Sequence, residues 1–185
     1  EAKIPTGYWT DPGNYNVEWY NNNRDAQEFK ISTPEELAGL SVIVNGLDDS
    51  IEKCTFKEKT IHLTDNLNME APFLYTFSSD SRVWNDPENE LPQNYFNGIF
   101  QGNSHTISKL QTNDESKNYQ GLFGIVIKGS IKNLGIIDSN IVGKSYVGAV
   151  IGFASHECKI QSCFNNGNVN GTDNIGGVAG SIGDN

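Results

Sequence analysis

A short glycine-centred phrase returns every 28 residues in the C-terminal part of this chain, and it constrains the fold more than any other feature. Tyr119-Gln-Gly-Leu-Phe-Gly124 is followed by Val147-Gly-Ala-Val-Ile-Gly152 and then by Ile175-Gly-Gly-Val-Ala-Gly180, with starts 28 residues apart each time. Leu122, Val150 and Val178 fall in register, as do Gly124, Gly152 and Gly180. Between these landmarks Ile131-Lys-Asn-Leu134 is answered by Ile160-Gln-Ser-Cys163 at an offset of 29, and Ile141-Val-Gly143 by Val169-Asn-Gly171 at 28. One residue is therefore gained in a turn and lost again before the next strand. Self-similarity at this period means stacked units, each burying its apolar face on its neighbours.

The units read as β-coils. Their apolar residues come in short alternating pieces, such as Leu134 and Ile136, rather than at helical spacing. Lys128-Gly129-Ser130, Ser139-Asn140, Asn165-Asn166-Gly167 and Asn170-Gly171 punctuate them with residues that tolerate tight turns. A unit of 28 residues fits one coil of three short strands and their turns, whereas helical repeats need roughly 33 to 47 residues. Successive coils pair as parallel strands about 4.8 Å apart, which stacks Leu122, Val150 and Val178 in an inward ladder. The expected fold is mainly β: a right-handed parallel β-helix, or solenoid, with an N-terminal capping α-helix and an aromatic N-terminal arm. A leucine-rich-repeat horseshoe uses units of this size, but its leucine and asparagine spacing is missing.

The two parts of the chain are different materials. Residues 1 to 100 hold 17 acidic against 7 basic side chains and 5 glycines; residues 101 to 185 hold 6 of each charge and 14 glycines. The formal net charge of −10 disfavours nucleic acid and anionic membranes as partners, since both are polyanions. No apolar run approaches the roughly 18 residues that span a bilayer. No signal or anchor segment is visible; the chain opens Glu1-Ala-Lys-Ile4 and its only methionine is Met69, so the native start is expected upstream. Cys54, Cys158 and Cys163 are an odd set that argues against a disulfide framework. Cys163 stands where Leu134 stands one coil earlier and reads as a small core residue. A Cys158–Cys163 disulfide, or a metal site adding His156, is the alternative, but no ligand pair has zinc-finger spacing.

Residues 1 to 53 form an arm and a capping helix, and residues 54 to 185 the β-helix, with an irregular loop over 70 to 95 and regular coils from 119. Together they make one structural unit. Thr33 caps the helix, Pro34 takes its first position and Glu36 completes a capping box. Leu37, Leu40, Val44 and Leu47 form one apolar face, and Asn45-Gly46 ends the helix. Such a helix suits the open end of a coil stack, whose core and strand edges otherwise meet water. The alternation from Thr55 to Met69 marks the first strands.

Three motifs in order carry a family resemblance. Ile31 to Asn45 has the form I-S-T-x-E-E-L-A-G-L…V-N, Phe96 to Leu110 the form F-x-G-x-F-x-G-N-x-H-T-I-x-x-L, and Gly121 to Gly135 the form G-L-F-G…I-x-N-L-G. Over residues 30 to 180 the chain resembles the GLUG-motif surface proteins of bacteria, with Gln101 where that family usually has Asp and Ser104 where it usually has Gly. The resemblance implies a secreted or cell-surface β-helical module, often one piece of a larger adhesin-like protein.

Parallel β-helices also host polysaccharide lyases and hydrolases, and the residues weigh against that. From residue 119 onward the only carboxylates are Asp138, Glu157, Asp173 and Asp184, widely spaced, and there is no arginine. A glycosidase needs two carboxyl groups about 5 to 10 Å apart across a groove. Gly143-Lys-Ser-Tyr-Val-Gly148 resembles a nucleophile elbow only superficially. His105 falls in the turn motif, where bonding its own turn is the expected role. His62 reads as an outward strand residue, and Asp48-Asp49 as a solvated loop start.

The expected function is therefore a non-catalytic adhesive or spacer module, without catalytic residue, metal or cofactor. The alternative is a carbohydrate-active β-helix enzyme or its sugar-binding accessory domain. The expected partner is a host or bacterial surface glycan or protein, with contact through the open C-terminal end as a further option. The candidate ligand surface is the aromatic set Trp9, Trp19, Tyr20 and Trp84, whose rings can stack on sugars or on a partner protein. The competing reading is that these rings only seal the end of the stack.

Overall fold

The computed structural model describes residues 7–70 and 94–183. Trp84 and most of the expected loop over 70 to 95 lie outside the described residues. The rest is a parallel β-helix. Its widest face is a five-stranded sheet in which Glu28–Ile31, Thr60–Leu63, Ile99–Gln101, Ser130–Lys132 and Lys159–Gln161 lie side by side in chain order. Alternation decides which way each side chain points. Phe29, Ile61, Phe100, Ile131 and Ile160 pair in one inward ladder. A second face stacks Leu67–Asn68, Thr106–Ser108, Gly135–Ile137 and Phe164–Asn165; a third stacks Phe123–Ile127, Ile151–Ser155 and Ala179–Gly183.

β-structure begins one rung earlier than the sequence suggests. Glu28–Ile31 pairs with Thr60–Leu63, so the capping helix interrupts the stack after its first strand. The regular coil is also cut finer than three strands. Phe123–Ile127, Ser130–Lys132, Gly135–Ile137, Asn140–Val142 and Ser145–Gly148 are five short strands within one 28-residue turn. Lys128, Asn133 and Asp138, each directly after a strand, turn the corners at φ of 55°, 53° and 48°. Asn and Asp enter this left-handed region at modest cost; lysine enters it at greater cost.

The expected ladder of Leu122, Val150 and Val178 is present. Phe123 pairs with Ile151 and Ile151 with Ala179, and the Val150 amide donates to the Val178 carbonyl at 3.0 Å. The offset change has its predicted form too. Ser155 pairs with Ile127 at 28 residues and Lys159 with Ser130 at 29, so the corner holding His156 and Glu157 takes up the extra residue. One alignment shifts. Gln120, not Tyr119, bridges to Val147, and the Tyr119 ring stacks on Tyr146 with centroids 4.9 Å apart. Between the Gln120–Val147 bridge and the Phe123–Ile151 pair the first coil has one residue fewer than the second, after which the 28-residue register holds.

The helix Pro34–Asn45 closes the N-terminal end. The Thr33 hydroxyl accepts from the Glu36 amide at 3.2 Å, Glu36 Oε2 accepts from the Thr33 amide at 3.2 Å, and Gly46 ends the helix at φ 63°. The helix is not amphipathic in the expected way: every residue from Leu37 to Asn45 is buried, whereas Leu47 is 47% exposed beyond the glycine. The arm covers the outer face. The Asn16 amide donates to the Glu35 carbonyl at 2.9 Å, and Asn16 O lies 2.0 Å from where a Cβ on Gly39 would be. Arm and helix thus pack directly on each other, and glycine at 39 lets them meet.

Candidate functional site

The aromatic set occupies the junction of arm, helix and first rungs. Trp9 is buried and its indole N–H donates to the Met69 carbonyl at 3.3 Å. Tyr20 is buried, and burial, ahead of the neighbouring Cys54, pushes its hydroxyl well above the ordinary tyrosine range. Trp19 is half-buried. It stacks on Phe56 at 6.0 Å, meets Phe29 edge-on at 5.5 Å, and gives its indole N–H to the Asn16 carbonyl at 3.1 Å. The ring series then continues inward from Phe56 through Phe96 to Phe123, at 6.2 and 4.9 Å. A sugar-stacking platform needs an open ring face. Here Trp9 and Tyr20 are buried, the Arg24 guanidinium lies over the Tyr20 ring at 5.7 Å, and Phe56 covers one face of Trp19.

A hydrogen bond ties the arm to the loop after the helix. The Tyr15 hydroxyl donates to Asp48 Oδ2 at 2.6 Å, while the Ser50 amide and hydroxyl donate to Asp48 Oδ1 at 2.9 and 2.6 Å. The Ser50 bonds, ahead of Tyr15, hold the Asp48 carboxyl below its ordinary value. Burial and the bond to Asp48 push the Tyr15 hydroxyl up from 10.0 to about 12. A raised folded value means stability complete below pH 10.0 and lost as pH rises through about 12. Tyr15→Phe is therefore expected to lower Tm at neutral pH, and the two melting curves to converge between pH 10.0 and about 12. A difference that persists at the alkaline end would refute the assignment to this hydroxyl.

The remaining candidates stay apart. His105 closes its own turn with its backbone, donating to Gly102 O at 2.8 Å, but its imidazole reaches Asn66 on the preceding rung at 3.3 Å. The side chain joins coils rather than bonding within its own turn. His62 points outward as expected, its Nε2 3.6 Å from Glu28 Oε2. Cys54, Cys158 and Cys163 are free thiols. Cys158 Sγ bonds to the carbonyls of Ser155 and Val126 at 2.9 and 3.0 Å, and burial pushes its thiol upward. Among the described residues, no group of three or more His, Cys, Asp or Glu could hold a metal ion, and no helix is long and apolar enough to cross a membrane.

Comparison with known proteins finds one long relative. The chain is 35% identical over 111 residues to Halomucin of Haloquadratum walsbyi (strain DSM 16790 / HBSQ001). The match takes in 57% of this chain and 1% of Halomucin, so the chain spans about one hundredth of the length of that relative. No family model matches the chain, and no solved structure matches it.

One feature went unseen in the sequence. A groove on the outer side of the five-stranded sheet is lined by Lys57, Lys59, Lys128, Lys132 and Lys159. These residues lie as much as 102 positions apart, and no single motif contains them all. The signal is the register: Lys159 pairs with Ser130, and Lys132 with Gln101 and Gln161. Only a reader who already had every coil aligned would have gathered them.

Proposed function

We propose that this chain is a non-catalytic β-helical module of a larger secreted or cell-surface protein of the GLUG-motif kind, serving as a rigid spacer that presents an adhesive face. The observation that carries the reading is the parallel pairing of the described strands, rung on rung from Glu28–Ile31 to Ala179–Gly183, closed at one end by helix and arm. Each rung transmits its position to the next through backbone bonds and an apolar ladder, which is what a spacer requires. Similarity to a small fraction of Halomucin, a protein named as a mucin, supports a modular and extracellular setting.

The last described rung carries exposed apolar groups. Ile182 is 66% and Ile175 41% exposed, although Ala154 and Val147, their partners one coil earlier, are buried. Incubating the purified chain with neutral and acidic polysaccharides is expected to release no reducing ends and no unsaturated products. Turnover of any of them would overturn the non-catalytic reading.

A further inference from the structure

The groove over the five-stranded sheet has a volume of about 490 Å³. Its floor is built from outward positions of successive rungs: Ile99 pairs with Ser130, and Ser130 with Lys159, with Lys132 beside them. Its corner wall carries Lys57, Lys59 and Lys128. Five lysines against Glu58 and Glu157 leave a formal surplus of three positive charges, within a chain whose net charge is −10. The sign of the surface is inverted here.

The lysines are not equally committed. Lys59 donates to the carbonyls of Arg24 and Ala26 at 2.9 and 2.6 Å, which fixes it to the arm, and Lys57 lies 3.9 Å from Glu58 in solvent. Lys128, Lys132 and Lys159 make no ion pair among the described residues. Three ammonium groups on two adjoining rungs, whose strands lie about 4.8 Å apart, repel one another and gain from a shared polyanion.

We infer that this groove binds an acidic polysaccharide, through its repeated carboxylate or sulfate groups. A linear polyanion laid across the rungs meets Lys128 and Lys132 on one coil and Lys159 on the next, while Ser130 and Asn97 face its hydroxyls. Single-stranded nucleic acid fits less well, because no Phe, Tyr or Trp lines the groove to stack bases. An acidic peptide would seek a strand edge; beneath the groove Ile99–Gln101 and Ser130–Lys132 are paired on both sides, and only the outermost strand, Lys159–Gln161, presents one. The assignment goes beyond the spacer reading and does not depend on the aromatic cap.

The test is calorimetric titration of the full chain with polygalacturonate, heparin and neutral dextran at low ionic strength. Binding to at least one polyanion and not to dextran, weakening as salt rises, is expected, and the preferred polyanion tells carboxylate from sulfate. The variant K132E/K159E should bind at least about tenfold more weakly, since each reversal turns an attraction into a repulsion. K144E, outside the groove, should leave affinity unchanged. If the charge reversals disturb the fold, as read by circular dichroism, K132Q/K159Q carries the same expectation of weakened binding. Binding to neither polyanion, equal binding to dextran, retained affinity in a folded groove variant, or tighter binding of single-stranded DNA would each overturn the inference. Cleavage of a bound polysaccharide would sink the non-catalytic reading while leaving the groove standing, so the two failures are distinguishable.

Discussion

Gly148→Ala is expected to cost the fold about 3 kcal/mol, among the largest effects of any single methyl group added to this chain. A Cβ at this position would lie 2.4 Å from the Ile151 carbonyl oxygen, 2.6 Å from the Gly180 amide nitrogen and 2.7 Å from the Ala179 Cα. All three are backbone atoms of paired strands, so none can swing aside as a flexible side chain would. The chain doubles back between Gly148 and Gly152, and Gly152 is equally hemmed in, with the Tyr146 and Gly124 carbonyl oxygens at 2.7 and 2.8 Å. Gly177→Ala is the matched control. Nothing lies within 4 Å of a Cβ there, and its register partner one coil earlier is already Ala149. Urea unfolding should give a markedly lower midpoint for the first variant and nearly the native midpoint for the second. Equal midpoints would show that the repeated glycines are not required by close packing.

Phe123→Ala is expected to destabilise by about 3 to 5 kcal/mol, because it empties a site that the surrounding rungs cannot collapse into. Phe123 is fully buried, with Phe96 at 4.9 Å and Phe100 at 5.4 Å between ring centroids. It lies at the inner end of the ring series that begins at Trp19, so the lost contacts propagate towards the cap. Phe164→Ala removes the same side chain from a position that is 51% exposed on the last rung. Its cost should stay below about 1 kcal/mol, since much of that surface is already in water. Thermal melts of the two variants decide the matter. A small loss at Phe123 would mean that the core is loosely packed and that the aromatic series contributes little.

What could be read from the sequence was local or periodic. The capping box of Thr33 and Glu36 and the stop at Gly46 depend on residues within one helical turn, and they were legible. The ladder of Leu122, Val150 and Val178 followed from a fixed spacing. The strand Glu28–Ile31 was missed because four residues carry too little alternation, and its partner lies beyond the helix. The buried outer face of that helix was missed because nothing in residues 34 to 45 announces that the arm returns over Gly39. The shared glycines align Tyr119 with Val147 in the sequence, whereas in the fold Gln120 bridges to Val147 and the Tyr119 ring stacks on Tyr146. The lysine groove is the extreme case, since charge on an outer face leaves no periodic trace when each rung contributes a different residue.

The two ends of the rod are not equivalent. One is closed by a helix and an arm, with Trp9 and Tyr20 sunk beneath them; the other presents Ile175 and Ile182 to solvent. Taken as an isolated chain, the stack unravels in one direction: from the rung holding Ile175 and Ile182, where the hydrocarbon is wet, towards the lid. A pull applied at the C-terminal side would meet a sequence of small yields, whereas the same pull at the lid must breach arm, helix and first turn together.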